Sequence, residues 1–317
     1  RKPFSNINFR YDEFKSLYLT GLASFLIVMF AFIMPMSVDI DNQIVSNNDT
    51  KINNSRTDFQ KLLSGESIDD KEKVDEGLDL SNILEDVFKF DELPEDTVRL
   101  SASTIEQLFK DTNYSLSEVR RTKKVKPIRL SLLPNEMKSI ESSGKRKSLF
   151  IKIILPLVLE ENNRIIIDRK KLFWILNKNK NSKDEIKWLN QKFKQYGVVN
   201  KDLATLKVRM DIIPVSLAIA QAAKETGWGT SRFAIEGNAL FGQWTWSGEG
   251  IKPAGVDSEE SKHKVMKFKV LKASVRAYQR NLNTHGSYKI FRSQRANMRD
   301  NDEELDSLLL ADYLDKY

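Results

Sequence analysis

One carboxyl group in this chain stands out for the residues around it. Glu225 lies inside the run from Ile212 to Trp246, IIPVSLAIAQAAKETGWGTSRFAIEGNALFGQWTW. Pro214 suits the first turn of a helix, the alanines at 218, 220, 222 and 223 permit close packing, and Gly227 stops the helix. Glu225 therefore falls in the last turn of a helix expected to be buried. The helix dipole disfavours negative charge there and burial adds to the effect, so both are expected to raise its pKa. A carboxyl group kept protonated near neutral pH is what a glycosidic leaving oxygen needs from a general acid. Gln221, one turn earlier on the same face, can bond either that carboxyl group or a substrate.

A Glu near a helix end is ordinarily a solvated residue, so its setting has to carry the argument. Gly227, Trp228, Gly229, Phe233, Phe241, Gly242, Trp244 and Trp246 follow within about twenty positions, a Gly–aromatic density unusual for a solvated loop. Aromatic faces stack on the apolar faces of sugar rings, and glycines let a linked chain of sugars approach the backbone.

Other chemistries are poorly supplied. The 317 residues include no Cys, which removes disulfides, thiol nucleophiles and Cys-ligated zinc, and with only His263 and His285 an all-imidazole metal site is not expected. Gly144-Lys145 lacks the other residues of a phosphate loop, and Gly227-Trp228-Gly229 only begins a dinucleotide fingerprint. No metal or organic cofactor is called for. The net charge is +7, but residues 39–99 carry 17 acidic against 7 basic groups, −10, so the remainder holds +17. That excess suits an anionic partner such as a membrane or a cell-wall polymer. No finger, homeodomain or RNA-binding signature points to nucleic acid.

The elements that would position Glu225 are mostly helical. Leu17–Val38 is about 22 residues without a charge, enough for a membrane-spanning helix. Arg1, Lys2, Arg10 and Lys15 precede it, partly offset by Asp12 and Glu13, and Asp39 and Asp41 follow, which puts the N-terminus in the cytoplasm. A cleaved signal peptide would have a shorter apolar region and a small-residue cleavage site, whereas this stretch ends in MPMSV. The expected order is a cytoplasmic tail at 1–16, the anchor at 17–38 and a flexible acidic linker at 39–80, then a helical region at 81–200 and a catalytic domain at 201–317. Within the helical region, short helices separated by Pro94, Pro127 and Pro134 lead into a stronger block from Lys147 to Tyr196. The apolar run Leu149–Leu159, with Lys152 and Pro156 inside it, reads as a core helix.

The string Gln221-Ala222-Ala223-Lys224-Glu225-Thr226-Gly227-Trp228-Gly229, followed by Gly237-Asn238-Ala239-Leu240-Phe241-Gly242, resembles the signature of bacterial glucosaminidases of glycoside hydrolase family 73. Among these it is most similar to the Bax-type proteins of Gram-negative bacteria. Further matches are Arg146–Phe150 with Leu155–Leu157, and Ser274–Tyr278 with Asn281–His285, so the likeness runs over about residues 110–317. It implies a mainly α, lysozyme-like α+β domain with a small β-lobe, cleaving β-1,4 bonds after N-acetylglucosamine in peptidoglycan. Carried over by residue, Glu225 matches the catalytic acid and Tyr288, in Gly286-Ser287-Tyr288, matches a tyrosine lining the catalytic cleft. Gln221, Trp228, Asn238, Phe241, Trp244, Trp246 and Tyr278 are expected to hold substrate, although Tyr278 equally suits packing beneath the cleft.

The second carboxylate is less marked, because the Thr-x-Glu-Tyr setting of other members is absent here. In the hairpin region after Gly242, Glu249 is favoured by its glycines and Trp246, and Asp257 comes next; Glu259, Glu260 and Lys262 look like a solvated turn. A carboxylate positioning water would give inversion, and attack by the substrate's acetamido group would give retention. Family members generally continue beyond the match to Leu308–Tyr313 with another Tyr-containing helix, so a C-terminal continuation is expected. The resemblance implies an inner-membrane protein with a periplasmic catalytic domain. Two other readings use the same residues: a lytic transglycosylase, and a non-catalytic wall-binding scaffold.

Overall fold

The computed structural model describes residues 80–89, 92–93, 97–245, 250–252 and 264–314. The tail, the anchor expected at Leu17–Val38 and nearly all of the acidic linker lie outside them. Among the described residues no helix is long and apolar enough to cross a membrane.

Three short helices come first: α1 (Leu80–Lys89), α2 (Ala102–Asp111) and α3 (Leu116–Thr122). Ser101 and Ser115 cap the second and third by accepting from Thr104 N and Glu118 N, which satisfies amides a helix start leaves open. A 3-10 turn at Asn135–Ser139 then leads into α4 (Ser143–Leu176), 34 residues long. The first half of α4 is the apolar run seen in the sequence, with Leu149, Phe150, Ile153, Ile154, Leu157 and Val158 all buried. Pro156 has no N–H to give the Lys152 carbonyl, and the Tyr114 hydroxyl donates to that carbonyl instead, at 3.2 Å.

α5 (Lys183–Gln195) starts with a capping box between Ser182 and Glu185, and α6 (Leu203–Arg209) with Asp202. α7 (Val215–Thr226) follows Pro214 and ends at Gly227, whose φ of 56° is the left-handed stop the sequence predicts. Beyond α8 (Arg232–Gly237) come three short strands, β1 (Trp244–Thr245), β2 (Gly250–Ile251) and β3 (Lys264–Met266). They form an antiparallel sheet in the order β1-β3-β2, with Trp244 opposite Val265 and Gly250 opposite Met266. The C-terminal helices are α9 (Leu271–Thr284), α10 (Lys289–Asp300) and α11 (Ser307–Ala311), with a 3-10 turn at Gly286–Tyr288 between the first two.

The described fold is thus mainly helical with one small sheet. Its main core joins Ile105, Phe109, Leu133 and Phe150 to Ile213, Leu240, Phe291 and Leu310, so one core spans both sides of position 200. A second cluster gathers Ile165, Leu172, Phe193, Tyr196, Leu206 and Met210, and a third packs Val87 of α1 against Met266, Phe268, Ala273 and Ala277. Residues 73–317 form one compact unit.

Candidate active site

The segment leading into α7 is fixed by buried polar side chains. Asn162 of α4 donates to the Ile213 carbonyl at 2.8 Å and accepts from Ile213 N and from Gln279 of α9. Asn283 donates to the Asp211 carbonyl at 2.9 Å, and Arg295, fully buried, donates to the carbonyls of Val208, Asp211 and Ile212. Burial lowers the Arg295 guanidinium to about 10, opposed by the charge of Asp211. Burial alone would raise the Asp211 carboxyl, but Arg295, Arg169 and Arg299 together hold it below the usual carboxylate range. With its entry anchored, α7 packs against α4, and its buried alanines at 218, 222 and 223 join the main core, small side chains that allow neighbouring elements to approach closely.

That placement sets Glu225 at the far end of α7, beside the Asn-Ala-Leu-Phe-Gly loop. Its Oε2 lies 3.3 Å from where a Cβ on Gly242 would stand, and Gly242 has φ of 59°. A side chain at 242 would be both strained and crowded against the carboxylate. The preceding residue, Phe241, stacks on Tyr278 of α9 with ring centroids 3.9 Å apart and planes 8° from parallel. The Tyr278 hydroxyl donates to Gln221 Oε1. Burial pushes the Tyr278 hydroxyl well above its ordinary range, and the neighbouring Tyr288 adds to this, so it remains a donor through neutral and mildly alkaline pH. Tyr288 is raised by burial too, with a hydrogen bond to Asn281 opposing.

The fold therefore brings together Gln221, Glu225, Phe241, Gly242, Tyr278 and Tyr288 from α7, the loop before β1, α9 and the turn after it. Several expectations change in detail. Glu225 is exposed, not buried as its place in an apolar helix led one to expect. Tyr278 and Phe241 are buried, at 0 and 2 % exposure, and cannot stack on a sugar; they form the floor that holds Gln221 and Gly242. Asn238 is buried as well, with φ of 50° and its amide donating to the carbonyls of Phe268 and Lys269. It ties the motif loop to the segment after β3 instead of facing substrate.

Trp228 is half-buried and sits at φ of 63°, packed edge-on against Phe150 with Lys147 Nζ 5.0 Å above its ring. Its neighbour Gly229 needs its identity, because a Cβ there would stand 2.9 Å from Phe150. Trp244 contributes backbone to β1, while Trp246, Glu249 and Asp257 lie outside the described residues. Among the described residues no group of His, Asp and Glu could hold a metal ion.

Sequence reasoning missed the charged layer behind the site. α9 turns Tyr278 toward α7 and sends Arg276 and Arg280 the other way. Arg276 donates to both oxygens of Glu161, at 2.9 and 2.7 Å, and Arg280 to Asp86 of α1 at 2.8 Å. Burial would raise the Glu161 carboxyl, but Arg276 and Arg164 outweigh it and hold it low. The only signal available was the polar stripe Arg276, Gln279, Arg280, Asn283, whose spacing reads equally as a solvated face.

Residues 200–315 match a family described as glucosaminidase, mannosyl-glycoprotein endo-beta-N-acetylglucosaminidase. The chain is also similar to Protein bax of Escherichia coli (strain K12), 33% identical over 198 residues, which cover 59% of this chain and 68% of that protein. No solved structure matches it.

Proposed function

The chain belongs to the bacterial Bax-type proteins with a glucosaminidase domain, and on that basis we propose that it hydrolyses β-1,4 bonds after N-acetylglucosamine in peptidoglycan, with Glu225 as general acid. The family itself points to a glycosidase of the cell-wall glycan. The single observation that best supports the finer reading is the placement of Glu225, accessible to solvent, one turn beyond Gln221 and against the side-chain-free backbone of Gly242.

In this reading the glycan lies along the surface formed by the end of α7 and the loop that ends at Gly242, in a lysozyme-like arrangement. Glu225 protonates the leaving oxygen as the glycosidic bond breaks, and the anomeric carbon is attacked either by a water that a second carboxylate positions and deprotonates or by the substrate's own acetamido oxygen, which water then displaces. Glu249, with Asp257 as the next choice, supplies that carboxylate. Gln221, held by Tyr278, presents its free amide hydrogens to the sugar, and Tyr288 closes the floor beside Tyr278. Trp228, Trp244 and Trp246 are the residues left to stack on the sugars. The reading includes Leu17–Val38 as a single inner-membrane anchor with the catalytic part in the periplasm, where its substrate lies.

The test is digestion of purified peptidoglycan by the protein and by its Glu225→Gln variant, with fragments reduced and weighed by mass spectrometry. Reduced N-acetylglucosamine ends that disappear in a normally folded variant support the proposal. Anhydro ends would instead make the protein a lytic transglycosylase, since hydrolysis adds water and transglycosylation does not. Wall binding without cleavage by either form would leave a scaffold.

A further inference from the structure

The last three turns of α4 carry an unusual exposed surface. Ile166, Ile167, Lys170, Phe173 and Trp174 recur at helical spacing on one side of its last three turns, with Ile167 58 % and Trp174 55 % exposed. Leu176 and Ile186 extend the exposed apolar groups into the turn and the start of α5. Six of the fourteen large hydrophobic residues exposed among the described residues fall in these 21 positions, so this is a patch and not scatter.

The same positions are basic. Between 166 and 187 the chain has Arg169 and six lysines against three carboxylates. Of those carboxylates, Asp168 is paired with Lys192, from outside the segment, at 2.6 Å, while Glu185 and Lys178 neutralise each other at 2.7 Å. Cations also lie over the exposed rings, with Lys178 Nζ 3.7 Å from the centre of Trp174 and Arg169 5.1 Å from that of Phe173. A protein–protein interface depletes lysine at its centre, whereas Trp, Phe and Ile interleaved with lysines whose stems reach outward is the composition of a surface that lies in lipid headgroups.

We propose that the outer face of α4, from Ile166 to Lys178, docks on a bilayer surface bearing anionic phospholipid, with Trp174, Phe173 and Ile167 entering the headgroup region and the lysines pairing with phosphate. This contact is separate from any membrane-spanning segment and independent of the glycosidase reading. It holds the compact unit in one orientation on the membrane.

These 317 residues include no Cys, so Ile167→Cys gives them a unique attachment point for an environment-sensitive fluorophore. Leu308→Cys, at a residue 79 % exposed on α11, serves as the comparison. Because Leu17–Val38 can hold the chain on a vesicle by itself, the readout is the local environment at the label, not binding. In vesicles of phosphatidylcholine with phosphatidylglycerol, the label at 167 shifts to the blue and is quenched by lipid-borne quencher. In pure phosphatidylcholine it does so far less, and the label at 308 does neither. Lys170→Gln and Lys171→Gln each lower the docked-to-free ratio about fivefold, the roughly 1 kcal/mol a lysine contributes near an anionic surface. An equal response at 308, an equal response on neutral lipid, or none at 167 overturns the proposal. So does a shift without vesicles that grows with protein concentration, which would make the patch a contact between two copies.

Discussion

Replacing Tyr278 by Phe removes one oxygen atom from the floor of the site and leaves the ring that stacks on Phe241 at 3.9 Å. The lost group is the hydroxyl that donates to Gln221. A neutral hydrogen bond contributes about 0.5–1.5 kcal/mol net, and Gln221 is half-exposed, so its oxygen can turn to water instead of being left unsatisfied. The stability cost is therefore expected at about 1 kcal/mol, which for a unit of this size lowers Tm by roughly 2–4 °C. The effect on catalysis follows from orientation. If the hydroxyl is what fixes the Gln221 amide, its loss frees that side chain, and the same 0.5–1.5 kcal/mol appears as a fall of about 2- to 13-fold in kcat/KM. Measuring kcat/KM for Tyr278→Phe, Gln221→Ala and the double variant closes a cycle. Coupling above about 0.5 kcal/mol supports the pairing. Effects that simply add, or a Tyr278→Phe enzyme of full activity beside a crippled Gln221→Ala enzyme, would refute it.

Other consequences follow from the same geometry. Asp86→Ala leaves Arg280, which is 3 % exposed, without its carboxylate, so urea unfolding should show a loss of about 3–5 kcal/mol and α1 should become susceptible to protease. Gly242→Ala, at φ of 59° and 3.3 Å from Glu225 Oε2, should cost about 1 kcal/mol of stability and depress kcat more than KM, read by steady-state kinetics with a melting curve beside it. Glu161, held below its ordinary pKa in the native state, contributes stability that is fully present above the unfolded value of about 4.3 and is lost as pH falls through the lower folded value. Unfolding free energies measured between pH 7 and pH 3 should decline below about pH 4.5, and Glu161→Gln should flatten that decline. Tyr278, raised well above 10, acts in the opposite sense: its contribution is intact below pH 10 and fades above it, and Tyr278→Phe should remove that alkaline loss.

The local features of the site were legible in the sequence because they are set by neighbours a few residues apart. Pro214, the alanines of α7 and Gly227 specify where that helix starts, what it packs against and where it stops, and so which turn carries Glu225. The apolar run around Ile153 likewise announced a core helix, and the Gly-rich, aromatic segment after it announced a turn-rich site. Exposure was not legible. Whether Glu225 faces solvent depends on how far the loop before β1 folds over the end of α7, and that distance is fixed by Asn238 reaching the carbonyls of Phe268 and Lys269, thirty residues away. Aromatic residues gave the same ambiguity: Phe241 and Tyr278 have the composition of a sugar platform, but stacking on each other removes both from solvent.

What the sequence determined by itself is the identity and order of the chemical groups, because short-range capping, helix spacing and a motif of adjacent residues do not depend on the rest of the chain. What only the tertiary structure decided is which of those groups meet water. Arg276, Gln279, Arg280 and Asn283 form a stripe suited to the outside of a helix, yet Glu161, Asn162, Asp86 and the backbone around Asp211 and Gln195 surround them. A charged side chain can be buried only where a partner from a distant segment stands at hydrogen-bond distance. That partner is a property of the packed helices, and no periodicity within one of them announces it.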